Sequence, residues 1–185
     1  MADFKTALKE TLGIEGGLSN NLNDRGGLTY KGISRKAWPG WEGWYYVDQW
    51  LNSWATIPES EIKRLDEMVE RFYKVNFWDR VSLGAFVNQR IANEIFDTGV
   101  NASTKQGIKF LQRALNLLNR NQVLYPDIDV DGIIGIKTLE LTNKHPYPDA
   151  LLKLLNGLQL AFYVELCEKD PSQEEFLRGW LKRIL

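Results

Sequence analysis

The chain is poor in the residues that most often build metal and redox sites. Among 185 residues there is one cysteine, Cys167, and one histidine. An internal disulfide and a Cys/His zinc constellation are therefore excluded. Cys167 lies in the apolar helical stretch "LQLAFYVELCEKD", where a buried, inert thiol is the expectation. Charge of one sign is also lacking: 23 Lys and Arg against 24 Asp and Glu give a net charge of −1. Such a balance offers no electrostatic footprint for nucleic acid or for an anionic membrane surface, so neither is expected as a partner. The opening "MADFKTALKETLG" has neither the basic start nor the long apolar core of a secretory signal. No apolar run is read as reaching membrane-spanning length. The expectation is a protein made in the cytoplasm, without stable membrane insertion, that something else must release to an outside target. Internal repeats and low-complexity tracts are missing as well.

What remains is an ordinary balance of 44% apolar and 25% charged residues, enough for one medium domain or a domain with a small appendage. Residues 3–15 read as a helix, with Phe4, Ala7, Leu8, Thr11, Leu12 and Ile14 on or near one stripe. Residues 16–33 are rich in glycine and asparagine, and "GLTYKGI" suits a short strand after a turn. An aromatic segment follows, "WPGWEGWYYVDQWLNSW". The next helix opens with a Thr56/Glu59 capping pattern and shows a period through Ile62, Leu65, Val69, Phe72 and Asn76. Helices are expected over "LGAFVNQRIANEIFDTGVN" and "STKQGIKFLQRALNLLNRN", the second capped by Ser103, then from about Ile136, and over "PDALLKLLNGLQLAFYVELCEK". A final helix with a Ser172/Glu175 capping box closes the chain. The fold class is α+β and mostly α-helical, with a small β element near the N-terminus.

The window "GIEGGLSNNLNDRGGLTYKGIS", residues 13–34, carries the chemistry. Each helical residue turns by about 100°, so Phe4 and Leu8 lie within about 20° of Glu15 if the helix reaches that far. A carboxyl held against apolar side chains at a helix C-terminus resists ionisation, which suits a general acid near neutral pH. Gly16 and Gly17 then end the helix and leave space for a bulky ligand. The plainer alternative is a charged residue snorkelling at a helix end with an ordinary glycine cap. Asp24 follows Glu15 by nine residues and Thr29 by fourteen. Glycoside hydrolysis commonly pairs one protonated acid with one carboxylate, and a helix end facing a turn can present such a pair. Asp24 before its Arg-Gly-Gly turn is equally a plain turn former.

The segment "EGGLSNNLNDRGGLTYKGIS" strongly resembles the signature of the glycoside hydrolase family 108 muramidases, lysozyme-like enzymes of phages and bacteria. The resemblance continues in order through "FYKVNFWDRV", "IANEIFDTGVNAS", "FLQRALN", "DVDGIIGIKTLEL", "LAFYVEL" and "FLRGWLKRIL", nearly the whole chain. It implies a lysozyme-like fold and an N-acetylmuramidase that cleaves the β-1,4 bond between N-acetylmuramic acid and N-acetylglucosamine in peptidoglycan. It implies Glu15 as the general acid. The spacing is also similar to phage-type lysozymes, whose last interval is one residue longer; by that likeness Asp24 supports the water or the cation and Thr29 holds the water. The resemblance implies a lysozyme-like catalytic region over residues 1–90 and a helical peptidoglycan-binding region over 91–185, packed as one compact unit. "DVDGIIGIKT" is similar to the D-G-x-x-G-x-x-T motif of wall-binding modules. The tryptophan-rich residues 38–54 depart from the family pattern, which bears on the shape of the cleft more than on the chemistry.

Candidate substrate-binding residues are Asn20, Tyr30, Trp44, Asp97 and Asn101. Of Trp38, Trp41, Trp44, Trp50 and Trp54, one or two are expected to face a cleft and the rest to pack. Asp97 and Asn101 either line the cleft or cap a helix end. "DIDVDG", residues 127–132, imitates the start of a calcium loop, but its twelfth position is Thr138 where a bidentate glutamate is wanted. A turn before a helix is the better reading, and no metal or cofactor is expected. The basic, amphipathic "RGWLKRIL" is explained by docking Trp180 and Leu181 into the core. Two other functions stay open: a lytic transglycosylase, and a wall-binding or secretion-accessory protein without turnover, in line with the secretion-activator label sometimes given to the family. A holin or secretion machinery is the implied route to the wall.

Overall fold

The computed structural model describes residues 1–13, 17–20, 27–53 and 58–184, with Ser19, Asn20 and Ser53 described as backbone only. The chain divides into two compact units: Leu8–Asn76, and Met1–Ala7 together with Phe77–Leu185. Helix α1, Phe4–Leu12, contributes to both.

In the unit of residues 8–76, three short strands form an antiparallel sheet in the order β1 (Leu18–Asn20), β2 (Leu28–Tyr30), β3 (Ile33–Ser34). Tyr30 pairs with Ile33, so the β2–β3 turn has two residues, Lys31 and Gly32, at φ 42° and 79°. Both central residues at positive φ match the right-handed twist of the strands, and glycine takes the second position without strain. Helix α2 spans Trp44–Ser53 and α3 spans Glu59–Tyr73. Leu65, Val69, Phe72 and Tyr73 are the buried stripe of α3, as its period predicts, whereas Ile62 is 42% exposed. The N-cap of α3 is Pro58, with no side-chain cap; Thr56 of the expected capping pattern lies outside the described residues. The Tyr73 hydroxyl donates to the Lys31 carbonyl at 2.8 Å, and Lys31 Nζ pairs with Asp66 at 2.6 Å. The hairpin turn is therefore fastened to α3 at two points.

In the second unit, α4 (Gln89–Asn101) is the central element: every residue from Ile91 to Gly99 is buried. It packs against α5 (Thr104–Leu117) and α7 (Pro148–Lys169), and α5 also meets α7. The α4–α5 approach is close because Gly107 faces the Ile95 carbonyl; a Cβ there would sit 3.0 Å from that oxygen. Asn88 caps α4 and Ser103 caps α5, each side chain accepting from a backbone N–H three residues on. Phe4 packs edge-on to Trp78 and Phe96, with ring centroids 5.7 and 6.0 Å away.

Helix α7 is long and apolar enough by length and composition to cross a membrane, which corrects the expectation that no run reaches that length. In this unit it is a packing helix: Leu151, Leu155, Gln159, Tyr163 and Cys167 recur every four residues along a buried face. Cys167 is buried as expected.

Residues 127–133 are held by a ladder of amides from α5 and the turn that follows it. Asn116 brackets Ile128, donating to its carbonyl at 2.8 Å and accepting from its N–H at 2.9 Å. Gln112 donates to Asp131 Oδ1 at 2.7 Å and accepts from Gly132 N at 2.8 Å, and Asn119 donates to Asp127. These contacts make the aspartates acceptors within a loop that leads into α6, Ile136–Asn143. At the chain end, Asp170 accepts from Ser172 N and Oγ and caps a short 3-10 turn, Pro171–Gln173; the α-helix that follows has no side-chain cap, so the Ser172/Glu175 box does not form. Helix α8 is Glu174–Trp180. Trp180 stacks on Tyr163 at 5.0 Å and 23°, while Leu181 is 45% exposed and does not dock.

Candidate functional site

Glu15 and Asp24 lie outside the described residues. The helix leading toward Glu15 ends at Leu12, with Gly13 N still bonded to the Lys9 carbonyl at 2.9 Å. Helical phase over residues 4–12 thus does not by itself fix the direction of residue 15. Thr29 sits at the centre of β2, flanked by Ser19 on β1 and Ser34 on β3. It is half-buried, and its Oγ1–H donates to the Gly27 carbonyl at 3.1 Å. The backbone of Asn20 pairs with Leu28.

Tyr30 follows Thr29 and therefore points to the other face of the strand. It is buried and stacks on Trp41 at 6.2 Å and 22°. Burial pushes its phenol above the usual tyrosine range, so it stays neutral. Trp44 is 3% exposed, its Nε1–H donates to the Trp38 carbonyl at 2.8 Å, and the Arg35 guanidinium lies 5.1 Å from its ring centroid. It is a core residue, which corrects the expectation that it stacks on substrate: no face of its ring is open to a sugar. Trp38, Trp41 and Trp50 are half-buried, and the first two line a cavity of about 470 Å³ with Arg71, Phe72 and Asn76. Trp54 lies outside the described residues. Arg35 grips Asp48 through both carboxylate oxygens, at 2.5 and 2.6 Å, and that hydrogen bonding holds the Asp48 carboxyl below its ordinary range.

Asp97 and Asn101 belong to the other unit. Asp97 is 8% exposed, pairs with Arg183 Nη1 at 2.7 Å and accepts from Gln159 Nε2 at 3.1 Å. That corrects the placement of Asp97 in a cleft: its carboxylate is consumed inside the helical core. Asn101, half-buried at the end of α4, donates to the Asp97 carbonyl at 2.8 Å and so has the helix-end role. Sequence reasoning passed over Glu94 and Arg183. Burial first, and the Asp97 charge second, push Glu94 up to about 8, and burial lowers Arg183 to about 10. The signal was "NEIFDTG", whose two carboxylates three apart share a face of a helix that is buried along its length from Ile91 to Gly99. Among the described residues no cluster of three or more His, Cys, Asp or Glu side chains is arranged to hold a metal ion.

Comparisons with known proteins agree with the sheet and helices described. Residues 106–185 match the model of a predicted peptidoglycan domain. The SagA structure from Brucella abortus superimposes with a TM-score of 0.69 at 22% identity, over 98% of this chain and 88% of that one. It shares the fold: mostly helical, with a small N-proximal antiparallel sheet and a lysozyme-like architecture. No curated protein matches the chain. The model of glycosyl hydrolase 108 matches residues 8–102, more than half of the sequence, and the chain belongs to this family as a glycoside hydrolase joined to a peptidoglycan domain, a peptidoglycan hydrolase.

Proposed function

We propose that the protein is an N-acetylmuramidase and that Glu15 is its general acid. The observation that carries this reading is the family match over residues 8–102, which takes in Glu15, Asp24 and Thr29 in one continuous stretch. In this mechanism protonated Glu15 delivers its proton to the glycosidic oxygen as the bond to C1 of N-acetylmuramic acid breaks. Asp24 supports the positive charge that develops at C1 or the incoming water, and Thr29 holds that water. Water adds to C1, a proton returns to Glu15, and a reducing muramic acid end is released. Asn20 is a candidate for binding the sugar. The peptidoglycan domain keeps the enzyme on its polymer, and delivery to the wall falls to a holin or a secretion system.

The test is incubation of purified peptidoglycan with the protein and with Glu15→Gln, followed by mass spectrometry of the new ends. Reducing muramic acid ends from the wild type alone support the reading. Anhydro ends convert it to a lytic transglycosylase, and wall binding without release from either protein makes it a binding or secretion-accessory protein.

A further inference from the structure

We propose that the cavity between the Trp38–Trp41 turn and α3 is a second saccharide site, taking a neutral N-acetylated hexosamine unit of a glycan strand. The proposal rests on the reading that the chain acts on peptidoglycan, and it adds a site on the opposite face of the hairpin from Thr29. Successive strand residues point to opposite faces, so Tyr30 points away from Thr29's side, and Trp41 packs on Tyr30. The cavity that Trp41 lines is consequently not on Thr29's side of the sheet.

The walls are built and fixed. Trp38 and Trp41 both meet the Phe72 ring edge-on, at centroid distances of 4.9 and 6.2 Å. Their turn is held by a chain of backbone bonds: Trp38 N to the Ser34 carbonyl, Trp41 N to the Trp38 carbonyl, and Trp44 N to the Trp41 carbonyl. A volume of about 470 Å³ falls within the range of small-molecule sites, roughly 300–1,000 Å³. Flat indole surfaces suit the apolar face of a pyranose, whose hydroxyls then project outward.

The polar groups at the cavity select a ligand class. Arg71 and Glu42 sit on its rim, 3.8 Å apart and both largely exposed, so the mouth holds one positive and one negative group with no net charge. That arrangement donates to and accepts from hydroxyls, and it gives an acidic peptide no net attraction. Asn76 adds an amide beside the indoles; one of its N–H groups is spent on the Phe72 carbonyl at 2.9 Å. An acetamido group offers the complementary carbonyl and N–H. Neutral amino sugar fits this set better than the charged peptide stem of the same polymer.

Calorimetric titration with chitotetraose, in the Glu15→Gln protein so that nothing is cleaved, tests the site. Saturable binding is expected, weakened about fivefold or more by Trp38→Ala and by Arg71→Ala. Arg71 is on the surface, so that variant keeps the test valid should Trp38→Ala fail to fold. Affinity unchanged within about twofold in the folded variants overturns the proposal, as does capture of an isolated stem peptide with no binding of chitotetraose. Persistent cleavage by Glu15→Gln would instead count against the catalytic reading and is seen as sugar release, so the two failures are distinguishable.

Discussion

Asp97 in α4 and Arg183 in the last helical turn of the chain form a buried ion pair, 2.7 Å from Nη1 to Oδ1, with side chains 12% and 4% exposed. Gln159 of α7 completes the contact, so three separate segments meet on one carboxylate. Removing one partner strands the other charge in a low-dielectric core, at a cost of about 3–5 kcal/mol. Arg183→Ala is therefore expected to lower the unfolding free energy by that amount in urea titration. Asp97→Asn with Arg183→Met, which leaves no charge behind, recovers most of it. A loss under about 1 kcal/mol for Arg183→Ala contradicts a structural role for the pair.

Glu94 predicts a pH dependence. Its folded value, about 8, lies above the unfolded one, so the folded state binds the proton more tightly. The stability linked to this group is complete below about pH 4.5 and drains away as pH rises toward 8. Glu94→Gln keeps the shape without titrating. It should be close to wild type at pH 4.5 and more stable by about 2–4 kcal/mol at pH 8. Denaturant midpoints at pH 4.5, 6 and 8 measure this; parallel profiles for the two proteins rule it out.

Tyr73→Phe removes the hydroxyl that holds the hairpin turn to α3. The loss of one buried hydrogen bond, with the Lys31 carbonyl left unpaired, costs about 1–2 kcal/mol. Hydrogen exchange of the Lys31–Ser34 amides should quicken, and unchanged protection there would show that the bond does not restrain the turn.

Gly107→Ala sets two effects against each other. Alanine gains roughly 1 kcal/mol in helix propensity, while a Cβ 3.0 Å from the Ile95 carbonyl pushes α4 from α5 at about 1–3 kcal/mol. Packing is expected to win, with a lower melting temperature; a higher one would mean that the two helices part freely.

The periodic parts of this fold were legible from sequence because their cause is local. The buried positions of α3, the Ser103 cap, the start of α6 and the boundaries of α7 follow from side chains within a few residues of one another. The two-residue Lys31–Gly32 turn was not legible: "GLTYKGI" reads as one short strand after a turn, whereas the chain reverses within it at Lys31 and Gly32. Trp44 was misread because nothing near it in sequence reveals that its N–H turns back to the Trp38 carbonyl. Asp97 was misread for a longer-range reason: its partner, Arg183, is 86 residues away. The apolar length of α7 was underestimated because Gln159 and Asn156 interrupt the run, and both are buried in the packed face. The family signature was the most informative local feature, since it binds Glu15, Asp24 and Thr29 into one window.

The central claim is that Glu15 protonates the glycosidic oxygen of peptidoglycan. Its most direct test is the yield of new reducing ends from purified sacculi, compared between wild type and Glu15→Gln at matched, folded concentration. The account predicts reducing muramic acid ends from the wild type and a fall of about 10²-fold or more in the variant. Equal release from both proteins would contradict it.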